Sequence, residues 1–363
     1  MTEPNRINLY DLSLTNLQEL LASWGEPKFR AKQVWEWLYI HKASDFEQMT
    51  NLPAKLREQL AAKTQIGVLT IAAEKEARDG TLKRLYRLND GQFIESVLMI
   101  YDDGRRTACI STQAGCAMGC VFCATGQMGF ARHLTAGEIV EQAIHFGRVL
   151  EADADRLSNV VLMGMGEPLH NYDATLEAIH RLTSPDGLGI GQRHITLSTV
   201  GLVPAIRRFA DEDLQIKLAI SLHAATDEER NALLPVNKRW PLSELMAACR
   251  YYIDKTGRRL TFEWALIQGE NDTVEQATKL GFLLKGMLCH VNLIPLNPTT
   301  GYEGHPSNPE RVKVFMDTLA LYGVSSSIRV RRGIEINAGC GQLKAEVIQL
   351  EKTKREKNKK GDS

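Results

Sequence analysis

The chain carries no excess of either charge: 44 Lys and Arg stand against 44 Asp and Glu in 363 residues. A strongly basic field, which alone would announce a nucleic-acid partner, is therefore missing. No apolar run approaches the roughly 20 residues of a membrane-spanning helix. The opening Met1-Thr2-Glu3-Pro4-Asn5-Arg6 is polar and unlike a secretory signal. The expected location is the cytoplasm, with no membrane partner. Seven cysteines, an odd number with three of them clustered, exclude a secreted disulfide framework. No internal repeat is found beyond an alternation of strand and helix patterns. Apolar residues, by contrast, make up 44% of the chain, enough for the core of one large barrel with a small accessory unit.

Along the chain, Leu14, Leu17, Leu20 and Leu21 recur at helical spacing, as do Phe29, Val34, Trp35 and Leu38, with the turn Trp24-Gly25-Glu26-Pro27 between them. Residues 1–70 are read as a helical accessory domain. Trp35, Trp37 and Tyr39 suit its core better than a base-stacking platform, although Lys28, Arg30 and Lys32 interleave with them. Residues 71–100 form a β-hairpin extension: Leu82–Leu88 alternates, Asn89-Asp90-Gly91 turns, and Phe93–Met99 returns.

Residues 101–345 then alternate strands (107–112, 160–163, 194–198, 216–222, 259–267, 290–295, 326–330) with helical patterns such as 135–150, 241–256, 274–287 and 309–321. Six strand-helix units and a closing strand predict an α/β fold, a partial (β/α)6 TIM-like barrel, with its site at the carboxyl ends of the strands. The tail, 346–363, is mostly basic and expected to be solvated.

The first of those strand ends carries Gln113-Ala114-Gly115-Cys116-Ala117-Met118-Gly119-Cys120-Val121-Phe122-Cys123-Ala124-Thr125-Gly126, a Cys-x3-Cys-x2-Cys spacing. Soft thiolates select iron–sulfur clusters, zinc or copper(I). A zinc site would normally add a second Cys or His pair, and none follows. A cubane cluster takes four thiolates, so three leave one iron open to an outside ligand, which points to catalysis. Packing of three buried cysteines as small hydrophobes is the bland alternative, and the glycines among them argue against it.

This spacing resembles that of radical S-adenosylmethionine (SAM) enzymes, and the string through Cys123-Ala124-Thr125-Gly126-Gln127-Met128-Gly129-Phe130 resembles the RlmN/Cfr family of RNA adenine methyltransferases, with likeness over roughly residues 90–345. The resemblance implies a 4Fe-4S cluster on Cys116, Cys120 and Cys123 whose open iron is chelated by SAM. SAM contacts are implied at Gly166 and Glu167 of Gly164-Met165-Gly166-Glu167-Pro168, at Ser198, at Ser221, Leu222 and His223, and at Asn297. A lone His223 is more often a core imidazole, so its backbone is as good a contact as its ring.

Two cysteines outside the motif specify the reaction. Cys340 lies in Asn337-Ala338-Gly339-Cys340-Gly341-Gln342, and a thiol between glycines is positionable and suits a nucleophile. By resemblance, Cys340 takes a methyl group from a first SAM, a radical from a second SAM activates it, and the resulting carbon radical adds to adenine. Cys109 then resolves the protein–RNA adduct as a disulfide with Cys340, and Glu95 accepts the proton. The family reads Ala-Ala before its cysteine where this chain has Ala338-Gly339, a looser loop. Cys249 and Cys289 are read as core.

The implied substrates are an adenosine in the peptidyl-transferase region of 23S rRNA and the adenosine beside the anticodon in tRNAs, with carbon 2 (RlmN-type) preferred to carbon 8 (Cfr-type, giving antibiotic resistance). The helical domain becomes an RNA-binding accessory. A monomer supplied by an electron-donor protein such as flavodoxin is implied too. Candidate RNA-facing groups are Arg105, Arg106, Arg132, His133, Lys238 and Arg239.

Overall fold

The computed structural model describes residues 6–297, 299, 301–330, 332–336 and 338. Cys340, its neighbour Gly339 and the basic tail lie outside the described residues. The chain begins with the two-residue strand β1 (Ile7–Asn8), then α1 (Leu14–Ser23), α2 (Phe29–Tyr39) and α3 (Ala54–Lys63), and β2 (Thr64–Gln65) returns parallel to β1. Ser13 starts α1 by accepting the Asn16 amide, which satisfies one of the free N–H groups of a first turn. Leu17 and Leu21, Val34 and Leu38, and Leu56 and Leu60 meet inside this unit, each at most 1% exposed. Trp35 and Tyr39 belong to that core, while Trp37 stays half-exposed with its indole N–H on Asn51.

Next come β3 (Thr70–Glu76), β4 (Leu82–Arg87), β5 (Phe93–Ile100) and β6 (Arg106–Cys109), joined antiparallel in that order. The hairpin is as its turn chemistry requires, with Arg87 opposite Phe93. It is not a free-standing flap, because β5 pairs with β6 and so extends the barrel wall.

A small antiparallel pair, β7 (Gln113–Gly115) and β8 (Phe130–His133), frames a loop that includes the short α4 (Ala124–Gln127). After it come α5 (Ala136–Ala152), β9 (Asn159–Leu162), α6 (Tyr172–Thr183), β10 (Ile195–Thr199), α7 (Val203–Ala210), β11 (Lys217–Ser221), α8 (Asp227–Leu233), α9 (Leu242–Thr256), β12 (Leu260–Leu266), α10 (Val274–Leu284), β13 (Cys289–Pro295), α11 (Pro309–Leu321) and β14 (Ser326–Ile328). Capping residues punctuate this series: Thr135 and Glu138 form a reciprocal box before α5, and Asn308 precedes the Pro309 that opens α11.

Strands β6, β9, β10, β11, β12, β13 and β14 run parallel, giving the expected six units and closing strand within a ten-stranded sheet. Apolar faces such as Cys289, Val291 and Leu293 of β13 pack outward on the helices, while His290, Asn292 and Ile294 alternate inward. Cys249 and Cys289 are buried core residues. The helical unit docks on α5: Arg148 donates to the carbonyls of Lys42 and Ala43, and Glu141 accepts the amides of Val68 and Leu69.

The outermost strands, β14 and β3, do not pair. The segment that follows β14 reaches the β3–β4 turn instead. Gly333 N–H donates to Asp79 at 3.0 Å, and Glu335 meets both the amide and the guanidinium of Arg78. Arg332 lies 4.5 Å over the Tyr101 ring and 3.9 Å from Asp102.

Candidate active site

The carboxyl ends of the parallel strands surround a cavity of about 380 Å³. Cys116, Cys120 and Cys123 line it on one side, with Met118 and Phe122 between them. The loop that carries them is tied to its surroundings by backbone bonds, Cys116 N–H to Gly129 O at 2.8 Å and Val121 N–H to Leu233 O at 3.1 Å. Gly115 makes the entry to this loop possible. Its φ is +76°, and a Cβ there would stand 2.0 Å from the Gly129 oxygen.

The three thiols share one wall of the cavity. Burial pushes Cys116 up to about 12 and Cys120 upward as well, so both are neutral until a metal displaces the proton. Among the described residues, no three His, Cys, Asp or Glu side chains are grouped to hold a single metal ion. In a cubane each thiolate has its own iron, so its ligands stand apart around a body instead of converging on a point. Three thiols on one cavity wall fit a cluster that takes three protein ligands and leaves a position open toward the cavity.

Opposite the cysteines, Gly166, Glu167, Ser198, Ser221, His223 and Asn297 all line the same cavity, although they come from four different stretches of chain. Gly166 has φ +106°, and a Cβ on it would meet Gln113 Cβ at 2.6 Å, so the loop after β9 lies tight on the entrance to the cysteine loop. Glu167, 3% exposed, accepts the amides of Val200 at 2.8 Å and Leu169 at 3.0 Å. Burial raises its carboxyl to about 7 despite those bonds.

His223 takes φ +60° and accepts the Ala265 amide on Nδ1 at 2.8 Å. Burial, and then the Arg230 charge, lower it to about 3, so it is a neutral ring, packed in a T-shaped contact with Phe122. Leu222 differs from its neighbours: its side chain is fully buried outside the cavity lining, its N–H donates to Glu263 O and its carbonyl accepts from Arg230.

Cys109, the last residue of β6, lines the cavity beside Val97 and Met99 of β5. Glu95 lies two residues before Val97 on the same face of the strand, 4% exposed, with its carboxylate 3.2 Å from Lys83 Nζ. It is not among the residues that line the cavity.

Of the proposed RNA-facing cations, Arg105 pairs with Asp103, Arg106 with Asp155, and Arg132 with both Asp90 and Glu138. His133 contacts Gln113, whereas Lys238 and Arg239 are exposed. Three buried groups near the site went unread in the sequence. Glu263 lines the cavity with its carboxyl raised by burial and Asn292 donating to it. A lone carboxylate in the apolar strand Leu260-Thr261-Phe262-Glu263-Trp264 was the available signal. Arg230, fully buried, ties the carbonyls of Val200, Ser221 and Leu222 together, and nothing in its sequence context marks it. Lys83 is the third.

Known proteins match this geometry and sequence closely. The family model described as the ribosomal RNA large subunit methyltransferase N-terminal domain matches residues 7–66, and that of the radical SAM superfamily matches 110–280. The chain is 57% identical to dual-specificity RNA methyltransferase RlmN 1 of Myxococcus xanthus, covering 96% of this chain and 97% of the relative. It is 47% identical to a probable dual-specificity RNA methyltransferase RlmN of Geobacillus kaustophilus over 95% of this chain and 94% of the relative. The crystal structure of a radical SAM methyltransferase from Sphaerobacter thermophilus superposes with a TM-score of 0.90 at 49% identity, covering 93% and 98% of the two chains. Likeness of this degree over nearly the whole length places the chain in the RlmN family of radical SAM RNA methyltransferases, enzymes that work with S-adenosylmethionine and an iron–sulfur cluster.

Proposed function

We propose that this enzyme methylates carbon 2 of an adenosine in the peptidyl-transferase region of 23S rRNA and of the adenosine beside the anticodon in tRNAs. The observation that carries the reading is the meeting of Cys109, the three-cysteine loop and six separate strand-end residues in one cavity. The relatives' dual-specificity RNA methyltransferase names support the substrates. In this reading Cys116, Cys120 and Cys123 hold three irons of a 4Fe-4S cluster. SAM would be held by Gly166, Glu167, Ser198, Ser221, His223 and Asn297, with Leu222 shaping that wall from behind. When bound, the cluster and SAM supply one-electron, hydrogen-abstracting chemistry. Carbon 2 of adenine, between two nitrogens, is not nucleophilic and needs a radical route.

The protein's own groups do the rest. Cys340 takes a methyl group from one SAM and becomes joined through that carbon to the base after a second SAM is consumed. Glu95 accepts the ring proton, and the one electron that then remains on the adduct would pass back to the oxidised cluster, which leaves a closed-shell thioether. The Cys109 thiolate then attacks Cys340 sulfur: a sulfur–sulfur bond forms, the carbon–sulfur bond breaks, its electron pair goes to the carbon, and that carbon takes a proton to become the methyl group. A cytoplasmic monomer served by a flavodoxin-like electron donor, with residues 1–70 holding RNA and 71–100 walling the 101–345 barrel, completes the proposal.

Reconstituted enzyme, incubated with SAM, a reductant and rRNA or tRNA fragments, should yield 2-methyladenine on nucleoside mass spectrometry. A product of 8-methyladenine alone would overturn the carbon 2 assignment. A second expectation concerns the loop entrance: Gly115→Ala, which has no room for its Cβ, should lose most of its iron after anaerobic reconstitution. Iron analysis and visible absorbance check this, and wild-type loading would refute it.

A further inference from the structure

One buried ion pair sits next to the residues that line the reaction cavity, without itself lining it. Lys83 on β4 is fully buried, Glu95 on β5 is 4% exposed, and Nζ lies 3.2 Å from the carboxylate. The register places this pair. Lys83 is opposite Val97, and Val97 is opposite Cys109, so the three share one face of the wall. Val97, Cys109 and Thr81, two residues before Lys83, all line the cavity. Arg84 and Tyr86 project from the other face of β4 toward α5, where Arg84 reaches the His145 carbonyl and Tyr86 packs on the His145 ring. Glu95 is one step nearer the carboxyl ends of the parallel strands than Val97, and the Ser111 hydroxyl fixes its backbone by donating to Glu95 O at 2.5 Å.

Taking two charges out of water costs more than their attraction usually returns, and an apolar pair would serve a wall equally well. A carboxylate stripped of water without a cation takes up a proton near neutral pH, and a base already protonated accepts nothing. We propose that Lys83 is a positioning residue for the methyl transfer: it holds Glu95 as an aimed carboxylate, ready to accept the adenine ring proton. This rests on the reading of Glu95 as the proton acceptor. Other charged or titratable groups around the pair are Lys75, in register with Lys83 on β3, and Cys109 on β6. Cys116, Glu167, His223, Glu263, Arg329 and Arg332 face them across the cavity. Arg84, Glu141 and His145 are on the α5 side of the wall.

The test uses full-length reconstituted enzyme and an rRNA fragment, with Lys83→Met, Lys83→Gln, Lys83→Arg and Glu95→Gln beside the wild type. Three quantities are read: visible absorbance of the cluster, methylation of Cys340 by mass spectrometry, and product formation from pH 6 to pH 10. Lys83→Met should keep the absorbance and the methylated cysteine, since neither needs Glu95. Its product formation at neutral pH should drop roughly tenfold or more and recover as pH rises, the acid limb moving up by about two units. Lys83→Gln should behave likewise if the methionine variant does not fold. Lys83→Arg, which keeps the charge, should leave the limb in place, and Glu95→Gln should lose on the order of a hundredfold at every pH.

An acid limb unmoved in the neutral variants overturns the role of Lys83, whatever the absolute rate. Full activity in Glu95→Gln, or no methyl group on wild-type Cys340, overturns the underlying reading instead.

Discussion

Cys109→Ala enzyme, given SAM and RNA, will stop after a single turnover with the RNA joined to the protein. The reason is the bond left behind. Once the methyl-derived carbon bridges Cys340 sulfur and the base, only attack on that sulfur releases the product with a carbon electron pair, and the attacker must be a thiol within disulfide reach. Cys109 lines the cavity at the end of β6, whereas Cys249 is sealed in the core and Cys289 is 8% exposed on the first residue of β13, facing the helices. Neither can substitute.

A denaturing gel should show a slow species that nuclease collapses and reductant does not, because a thioether resists thiols where a disulfide would not. Free methylated nucleoside should fall below one per chain. Normal turnover of Cys109→Ala would refute the two-thiol release, and so would an adduct that reductant cleaves.

Cys120→Ala enzyme, purified without air, will be colourless and give no methylated RNA at all. Loss of one of three thiolates leaves the cluster with too few ligands, and both proposed uses of SAM serve a reaction that needs it. Collapse of the fold would be an uninteresting cause of the same loss. The structure argues against it: the Cys120 carbonyl, which substitution leaves intact, accepts the Cys123 amide at 3.2 Å, and the sulfur faces a cavity. Unfolding of the metal-free variant should therefore stay within about 1 kcal/mol of the metal-free wild type. Visible absorbance and iron analysis check the first claim and denaturant unfolding the second. A brown, active Cys120→Ala would overturn the assignment of this ligand.

The barrel was legible because its strands are short apolar runs separated by well-capped helices, and because parallel strands need crossovers of that length. Strand ends drifted by a few residues where side chains take over from the ladder: the run read as 107–112 leaves the sheet after Cys109, since the Ser111 amide turns to Gln142. Most of the expected cavity residues were legible through motifs, but Leu222 and Glu95 do not line the cavity, and Glu263, which does, went unread. Lys83 was not legible either. Alternation along Leu82-Lys83-Arg84-Leu85 reads as one wet face and one dry face, as in a hairpin in water. Here both faces are covered, one by α5 and one by the cavity, and five of the six residues of β4 are buried. Sequence pattern reports polarity, and only the tertiary neighbours tell whether a polar face meets solvent or an active site.

The join between the two ends of the sheet has a mechanical meaning. Elsewhere around the wall, parting two neighbours means breaking a ladder of backbone bonds; between the β3–β4 turn and the stretch after β14 it means breaking Gly333 to Asp79, Glu335 to Arg78 and the Arg332 contacts. Surface contacts of this kind are worth about 1 kcal/mol each at most. Among the described residues, the weakest seam of the wall is thus held by side chains and not by a strand ladder, so strain on the wall would part it there first.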